Sequence, residues 1–199
     1  MSDPQIDSGK RTWIIASSCA GVVGAGFVAV PFVSSFEPSE RARAAGAAVE
    51  VDISDLKPGE KKTVEWRGKP VWIIKRTPEQ LAELPKVDAL LADPKSARKP
   101  DELTPTYARN EGRSIKPEIL VAVGICSHLG CSPSDKFTPG AQASLPDNWA
   151  GGFLCPCHGS TFDMAGRVYK NKPAPDNLEV PPHMYLSDTR ILIGEDKKA

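Results

Sequence analysis

The chain has 199 residues, with 25 Lys and Arg against 25 Asp and Glu, so it carries no formal net charge and offers no basic excess for nucleic acid. Its 40% hydrophobic and 25% charged residues exclude wholesale disorder, and a mean hydropathy of −0.29 excludes a polytopic membrane protein. With 19 Pro, 16 Gly and only 7% aromatic residues, the composition favours short strands and many turns over a helical bundle.

No charged residue occurs from Trp13 to Phe36. As a helix rising about 1.5 Å per residue, this run extends roughly 36 Å, enough for a hydrocarbon core of about 30 Å, and an aromatic ring stands at each end. The reading is a single uncleaved transmembrane anchor over 13–36. A cleaved secretory signal is the alternative. Its usual apolar core is only about 7–15 residues, and the Ala-x-Ala sequence at Ala42-Arg43-Ala44 contains arginine and lies well past the run. Lys10 and Arg11 precede the span, whereas Glu37 and Glu40 follow it ahead of Arg41 and Arg43. This bias puts residues 1–12 in the cytoplasm. Gly9-Lys10-Arg11-Thr12-Trp13-Ile14 also resembles a twin-arginine export signal with Lys in place of the first Arg. Gly21, Gly24 and Gly26 have the wrong spacing for a dinucleotide loop and read as close-packing positions on a helix.

Residues 37–48 are rich in Ala and small or polar residues without apolar periodicity, and read as a tether that could be helix or coil. The remainder, 49–199, has the length of one domain. Val49 to Ile53 alternates as a half-buried strand; Lys62 to Trp66 and Pro70 to Lys75 follow as second and third strands around turns at Pro58-Gly59 and Arg67-Gly68. Thr77 and Pro78 open a helix to Leu84. The charged, Pro-bearing stretch 85–117 reads as an irregular excursion. Ile119 to Ile125 is a buried strand running into the first motif, and Met184–Leu186 with Arg190–Ile193 makes a final hairpin across Asp188-Thr189. His183, with no cysteine beside it, reads as a surface or strand-edge histidine.

Cys19 lies inside the span and reads as a packing residue. The other four cysteines and two of the three histidines gather in two motifs, Cys126-Ser127-His128-Leu129-Gly130-Cys131 and Cys155-Pro156-Cys157-His158-Gly159-Ser160. Two Cys and two His can close a tetrahedron around zinc. Against zinc, a Cys-x-His pair is shorter than usual zinc-ligand spacing, and Cys131 and Cys157 are left without a task. A pure disulfide framework leaves the histidines unexplained.

The paired motif C-x-H-x-G-C and C-P-C-H-G-S resembles the Rieske iron–sulfur proteins, specifically the iron–sulfur subunits of the bacterial cytochrome bc complex (ubiquinol–cytochrome c reductase). The likeness extends to the anchor, the tether, the β-rich head and a Pro-rich stretch after the second motif. It implies an all-β Rieske [2Fe–2S] domain of antiparallel sheets, one short helix and long loops, tethered to one N-terminal transmembrane helix, with the cluster-binding loops at about 120–175. It also implies that Cys126 and Cys155 bind one iron, that His128 and His158 bind the other, and that Cys131 and Cys157 form a disulfide between the loops. Replacing two thiolates by neutral imidazoles makes the cluster easier to reduce, with Rieske potentials of roughly −150 to +300 mV against about −400 mV for plant-type ferredoxins. The disulfide requires an oxidising compartment.

The resemblance implies that His158, before His128, is the ring that hydrogen-bonds quinol, with electron uptake raising its affinity for a proton. Ser160 matches a serine whose hydroxyl donates to a bridging sulfide. Phe162 stands where many relatives carry tyrosine, so one hydrogen bond to sulfur is missing and a lower potential is expected; packing in the loop base is its other reading. Leu129 is expected at the exposed tip, and Gly130 and Gly159 at close or positive-φ turns. Pro173 and Pro175, in Lys172-Pro173-Ala174-Pro175, match a covering loop. The implied function is one-electron transfer from ubiquinol to a c-type cytochrome within a proton-translocating complex. That complex contains cytochrome b and is dimeric; it lies in the bacterial inner membrane with the head periplasmic. The alternatives are a small Rieske subunit of another periplasmic oxidoreductase such as arsenite oxidase, and a zinc-stabilised module without redox activity.

Overall fold

The computed structural model describes residues 7–40, 44, 46–99 and 102–196. The chain divides into two units, Met1–Ala44 and Ala45–Ala199. The expected tether at 37–48 includes 41–43 and 45, which lie outside the described residues, as do 1–6 of the expected cytoplasmic segment.

The first unit is built on α1, Ser8–Ser34. Asp7 caps it, its carboxylate accepting from the N–H groups of Gly9 (3.0 Å) and Lys10 (3.1 Å). Within the apolar run Ser17 turns its hydroxyl back onto the carbonyls of Trp13 and Ile14, so this polar side chain is satisfied inside the helix. With a mean hydropathy of 1.9 over its most apolar window, α1 is long and apolar enough to cross a membrane.

The second unit is assembled around a central antiparallel sheet of β2 (Lys61–Trp66), β3 (Lys69–Lys75) and β4 (Ile119–Val123), in that order. β3 and β4 are continuous apolar runs because both faces of this sheet are covered. Val71 and Ile73 of β3, with Ile119, Val121 and Val123 of β4, point into one core; Trp72, Ile74, Leu120 and Ala122 point into another. The first core is closed by a sheet of β1 (Val49–Asp52), β8 (His183–Ser187) and β9 (Arg190–Ile193), in the order β1-β9-β8. This covering sheet supplies Val51, Ile191 and Ile193. The second core is closed by a smaller sheet, β5 (Ser134–Lys136), β6 (Gly152–Leu154) and β7 (Thr161–Asp163). There Phe153 stacks on Trp72 at 5.0 Å between ring centroids.

Between β3 and β4 the chain forms α2, Pro78–Glu83, started by a reciprocal capping box between Thr77 and Gln80. The 85–117 stretch follows. It is irregular, with two short 3-10 turns at Pro85–Leu90 and Thr106–Ala108. It is also firmly tied, through backbone bonds such as Ala92 N–H to Val168 O (2.9 Å) and Val180 N–H to Leu103 O (2.8 Å). One of its charges, Arg113, is fully buried, as are Arg76 and Arg167.

One expectation is corrected in part. His183 stands on an edge strand, as read, but it is not a surface residue. It is 1% exposed at the start of β8, where its Nδ1 lies 2.8 Å from Pro181 O and its ring meets Tyr107 edge-on. The cluster loops at 126–131 and 155–160 carry no strand themselves, but β5, β6 and β7 frame them. These three-residue strands are too short to produce a period-2 signal in the sequence.

Candidate metal centre

β4 delivers the chain into the first motif, and β6 and β7 bracket the second. The two loops have the same hydrogen-bond frame. Cys126 N–H donates to Cys131 O (2.8 Å) and Gly130 N–H to Cys126 O (3.1 Å); likewise Cys155 N–H donates to Ser160 O (2.7 Å) and Gly159 N–H to Cys155 O (3.0 Å). In each loop the first residue is a cysteine and the fifth is a glycine. Gly130 has φ +82° and Gly159 φ +74°, and a Cβ at either would meet no protein atom. Glycine is therefore required there for backbone conformation, and not because protein atoms crowd the position.

This frame separates sulfur from nitrogen. Cys126 and Cys155 are each 2% exposed and lie in the core shared with Phe153, Phe162, Met164 and Ala165. Both thiols are free. Burial pushes the Cys126 thiol up, opposed by the His128 backbone N–H and the Ser160 hydroxyl, and Cys155 is also in hydrogen-bond reach. His128 is half-buried and His158 exposed, and their rings meet edge-on at 4.8 Å between centroids. A disulfide joins Cys131 to Cys157. The Sγ atoms of Cys131, Cys155 and Cys157 lie within 4.8 Å of one another, but two of these sulfurs are bonded to each other and are not available as thiolate ligands.

One atom shows directly that the pocket suits a metal: His128 Nδ1 is buried and has no hydrogen-bond partner. An unsatisfied buried polar nitrogen is costly unless something coordinates it. Together with the two buried free thiols, it has the chemistry of a sulfur-and-nitrogen donor set.

The surroundings hold the loops in place. Ser160 is fully buried and its Oγ accepts from Ala174 N–H (2.9 Å), which leaves its own proton free to donate elsewhere. Ser127 Oγ donates to Asp176 O (2.6 Å), so the first loop is pinned to the end of the Pro-rich stretch; sequence reading did not single out this serine. Arg98 Nη1 donates to Pro175 O (2.7 Å), and Lys99 pairs with the buried Asp176 at 2.8 Å. Pro173 and Pro175 are exposed, whereas Ala174 between them is buried. Phe162 is fully buried opposite Phe153 on β6. Leu129 projects into solvent at 71% exposure.

Residues 47–182 match the family described as Rieske [2Fe-2S] domain, and residues 13–39 match the one described as "Ubiquitinol-cytochrome C reductase Fe-S subunit TAT signal". The second match begins just after Lys10-Arg11. A ubiquinol–cytochrome c reductase iron–sulfur subunit of Allochromatium vinosum is 57% identical over 188 residues, covering 94% of this chain and 89% of the relative. The subunit of the same description from Rhodospirillum rubrum is 39% identical, covering 97% and 96%. A mitochondrial cytochrome b-c1 complex Rieske subunit from Solanum tuberosum is 41% identical over 74% of this chain and 47% of its own length. Among solved structures, a chain of a hyperthermophilic respiratory Complex III aligns with a TM-score of 0.44 at 26% identity, covering 89% of this chain and 97% of that one.

Proposed function

The chain belongs to the Rieske [2Fe–2S] proteins, among the iron–sulfur subunits of ubiquinol–cytochrome c reductase, and from that premise we propose how its residues perform one-electron transfer. The protein carries one [2Fe–2S] cluster and is an electron carrier. Cys126 and Cys155 would hold one iron, and His128 and His158 the other. The arrangement that carries this reading is the sulfur–nitrogen division: two free thiols buried in the core, and two imidazoles between them and the surface.

When bound, the cluster supplies one-electron chemistry at a potential raised by its two neutral imidazole ligands. The core around Cys126 and Cys155 excludes water from the thiolates, which binding deprotonates. Ser160, with its oxygen already accepting from Ala174 N–H, has its proton directed to sulfur and so favours the more negative state. His158, the more exposed imidazole, would accept the hydroxyl proton of a quinol at its outward nitrogen as the electron leaves the quinol. Leu129, beside it at the tip, gives the apolar contact for docking against the membrane-embedded partner. The Cys131–Cys157 disulfide ties the loop carrying His128 to the loop carrying His158, which keeps both rings on one exposed tip.

The further reading is that ubiquinol is the donor and a c-type haem the acceptor, with cytochrome b taking the second electron in a dimeric, proton-translocating complex. α1 anchors the chain in the membrane, with the N-terminus cytoplasmic and the head periplasmic. The basic pair Lys10-Arg11 supports that orientation, and the export-signal family at 13–39 supports a head carried outward already folded.

The test is electron paramagnetic resonance and iron analysis of the full-length membrane protein after reduction. A mixed sulfur–nitrogen [2Fe–2S] signal that is lost in both His128→Ala and His158→Ala is expected. A colourless zinc-bearing chain, or an unaltered signal in the two variants, refutes the assignment.

A further inference from the structure

Three arginines lie in the interior of the head, each 2% exposed or less. They converge on one short turn. Arg76 Nη1 donates to Met164 O (3.2 Å) and to Gly112 O (2.8 Å). Arg113 Nη1 donates to Ala165 O (3.0 Å) and Gly166 O (3.2 Å). Arg167 closes the turn through Asp163, at 2.8 Å from both Nε and Nη2. This turn continues directly from β7, whose first residue follows Ser160, and the side chains of Met164 and Ala165 pack in the same core as Cys126 and Cys155.

The charge around the turn is unequal. The other hydrogen bonds of Arg76 go to Ser114 Oγ and Pro117 O, and those of Arg113 to Ser96 Oγ, Thr104 Oγ1 and Leu178 O. Every acceptor described for these two guanidiniums is thus neutral. Asp163 acts on all three cations, and Arg167 also pairs with Asp88 at 2.7 Å, so two carboxylates offset it; Glu118 opposes the charge of Arg76 and Asp93 that of Arg113. Burial holds both Arg76 and Arg113 down to about 10, far enough above neutrality for both to stay charged. Burying cations against neutral acceptors is expensive, and carbonyl-pinning alone does not require a charged donor.

We propose that Arg76 and Arg113 act as a buried cationic field that raises the reduction potential of the cluster by stabilising the electron it accepts. The inference rests on the cluster reading above. With two thiolate and two neutral imidazole ligands, a diferric cluster is formally neutral, and one electron from the quinol leaves it with a single negative charge; no bond forms or breaks. A positive charge held in the same low-dielectric interior favours the reduced state. Bulk salt does not screen it as it would a surface charge. Asp163 works against the field, as do Glu118 and Asp93, so the potential reflects the balance between these guanidiniums and the carboxylates that act on them.

The test uses the full-length protein in membranes, following the paramagnetic signal through a redox titration in Arg76→Gln, Arg113→Gln and Asp163→Asn. The two arginine variants are expected to titrate at lower potential and Asp163→Asn at higher potential, with unchanged signal shape and with shifts that persist in high salt. Exposed Arg190, paired with Glu50 on the covering sheet, is the control: Arg190→Gln is expected to leave the potential in place. Loosening of the turn would move the arginine and aspartate variants the same way, so shifts of one sign, shifts abolished by salt, or no shifts overturn the proposal. If Arg113→Gln does not accumulate, the opposite signs of Arg76→Gln and Asp163→Asn still decide it. A wild-type chain without a reducible iron signal defeats the cluster assignment itself, whereas a wild-type signal with unresponsive variants defeats only this inference.

Discussion

The two faces of the central sheet have been put to different uses. Against the β1-β9-β8 sheet lies a core of Val, Ile and Leu with one Trp, in which no side chain has chemistry beyond packing. Against the β5-β6-β7 sheet the core is mixed: it includes the two buried free cysteines, three large aromatics and a methionine, and it borders the buried arginines. Neighbouring residues of a single strand serve both, Ile73 facing one core and Trp72 the other. One face therefore supplies rigidity, and the other spends part of that rigidity on burying thiols, imidazole nitrogen and charge.

This division makes opposite demands on the two cores. The largest effect is expected on the mixed side: Cys155→Ala should abolish the reducible iron signal, while circular dichroism of the β-rich head remains. On the apolar side, Ile73→Ala should cost about 2–5 kcal/mol of stability by denaturant unfolding, with the midpoint potential unaltered. A matching change in potential would show that the two cores are not separable. Removing the tip clamp with paired Cys131→Ser and Cys157→Ser changes should cost about 3 kcal/mol by the same measurement, the chain-entropy worth of a cross-link between cysteines 26 positions apart.

A smaller effect comes from His183, whose burial holds its pKa below the ordinary histidine value. The unfolded chain takes up a proton near pH 6.5 and the folded chain only at lower pH. Stability is therefore unaffected above that range and falls as the solution is acidified through it, by at most about 1.4 kcal/mol per pH unit. His183→Asn should flatten this part of a stability-versus-pH curve; an identical slope would exclude the histidine as its source. The smallest effect is expected at Phe162. It is fully buried in the core that holds Cys126 and Cys155. Phe162→Tyr should raise the midpoint potential by tens of millivolts, about the worth of one hydrogen bond near 1 kcal/mol.

Much of this architecture is legible in the sequence where local pattern and physical role coincide. The uncharged run yields α1; the alternation of Val49 to Ile53 yields β1; the continuous run at Ile119 yields a strand buried on both faces; Thr77-Pro78 yields the start of α2. The two cysteine–histidine motifs are legible because chelation places chemically distinctive residues close together along the chain. Other features were not. β5 to β7 are too short for any period, and His183 has a neighbourhood that reads as solvent. The stretch 85–117 reads as an irregular excursion, yet it carries Arg113 into the interior, because three of the acceptors described for that side chain are carbonyls 52 to 65 positions further along the chain.

The amino-acid order by itself determined that an apolar helix precedes a β-rich head and that four cysteines and two histidines gather in two short motifs, since these depend on near neighbours along the chain. Only the folded arrangement decided which cysteines lie free in the core and which are joined, that one imidazole nitrogen is buried without a partner, and that three guanidiniums meet on one turn. Burial and electrostatic balance depend on what packs around a residue from distant parts of the chain, and a linear pattern carries no record of that.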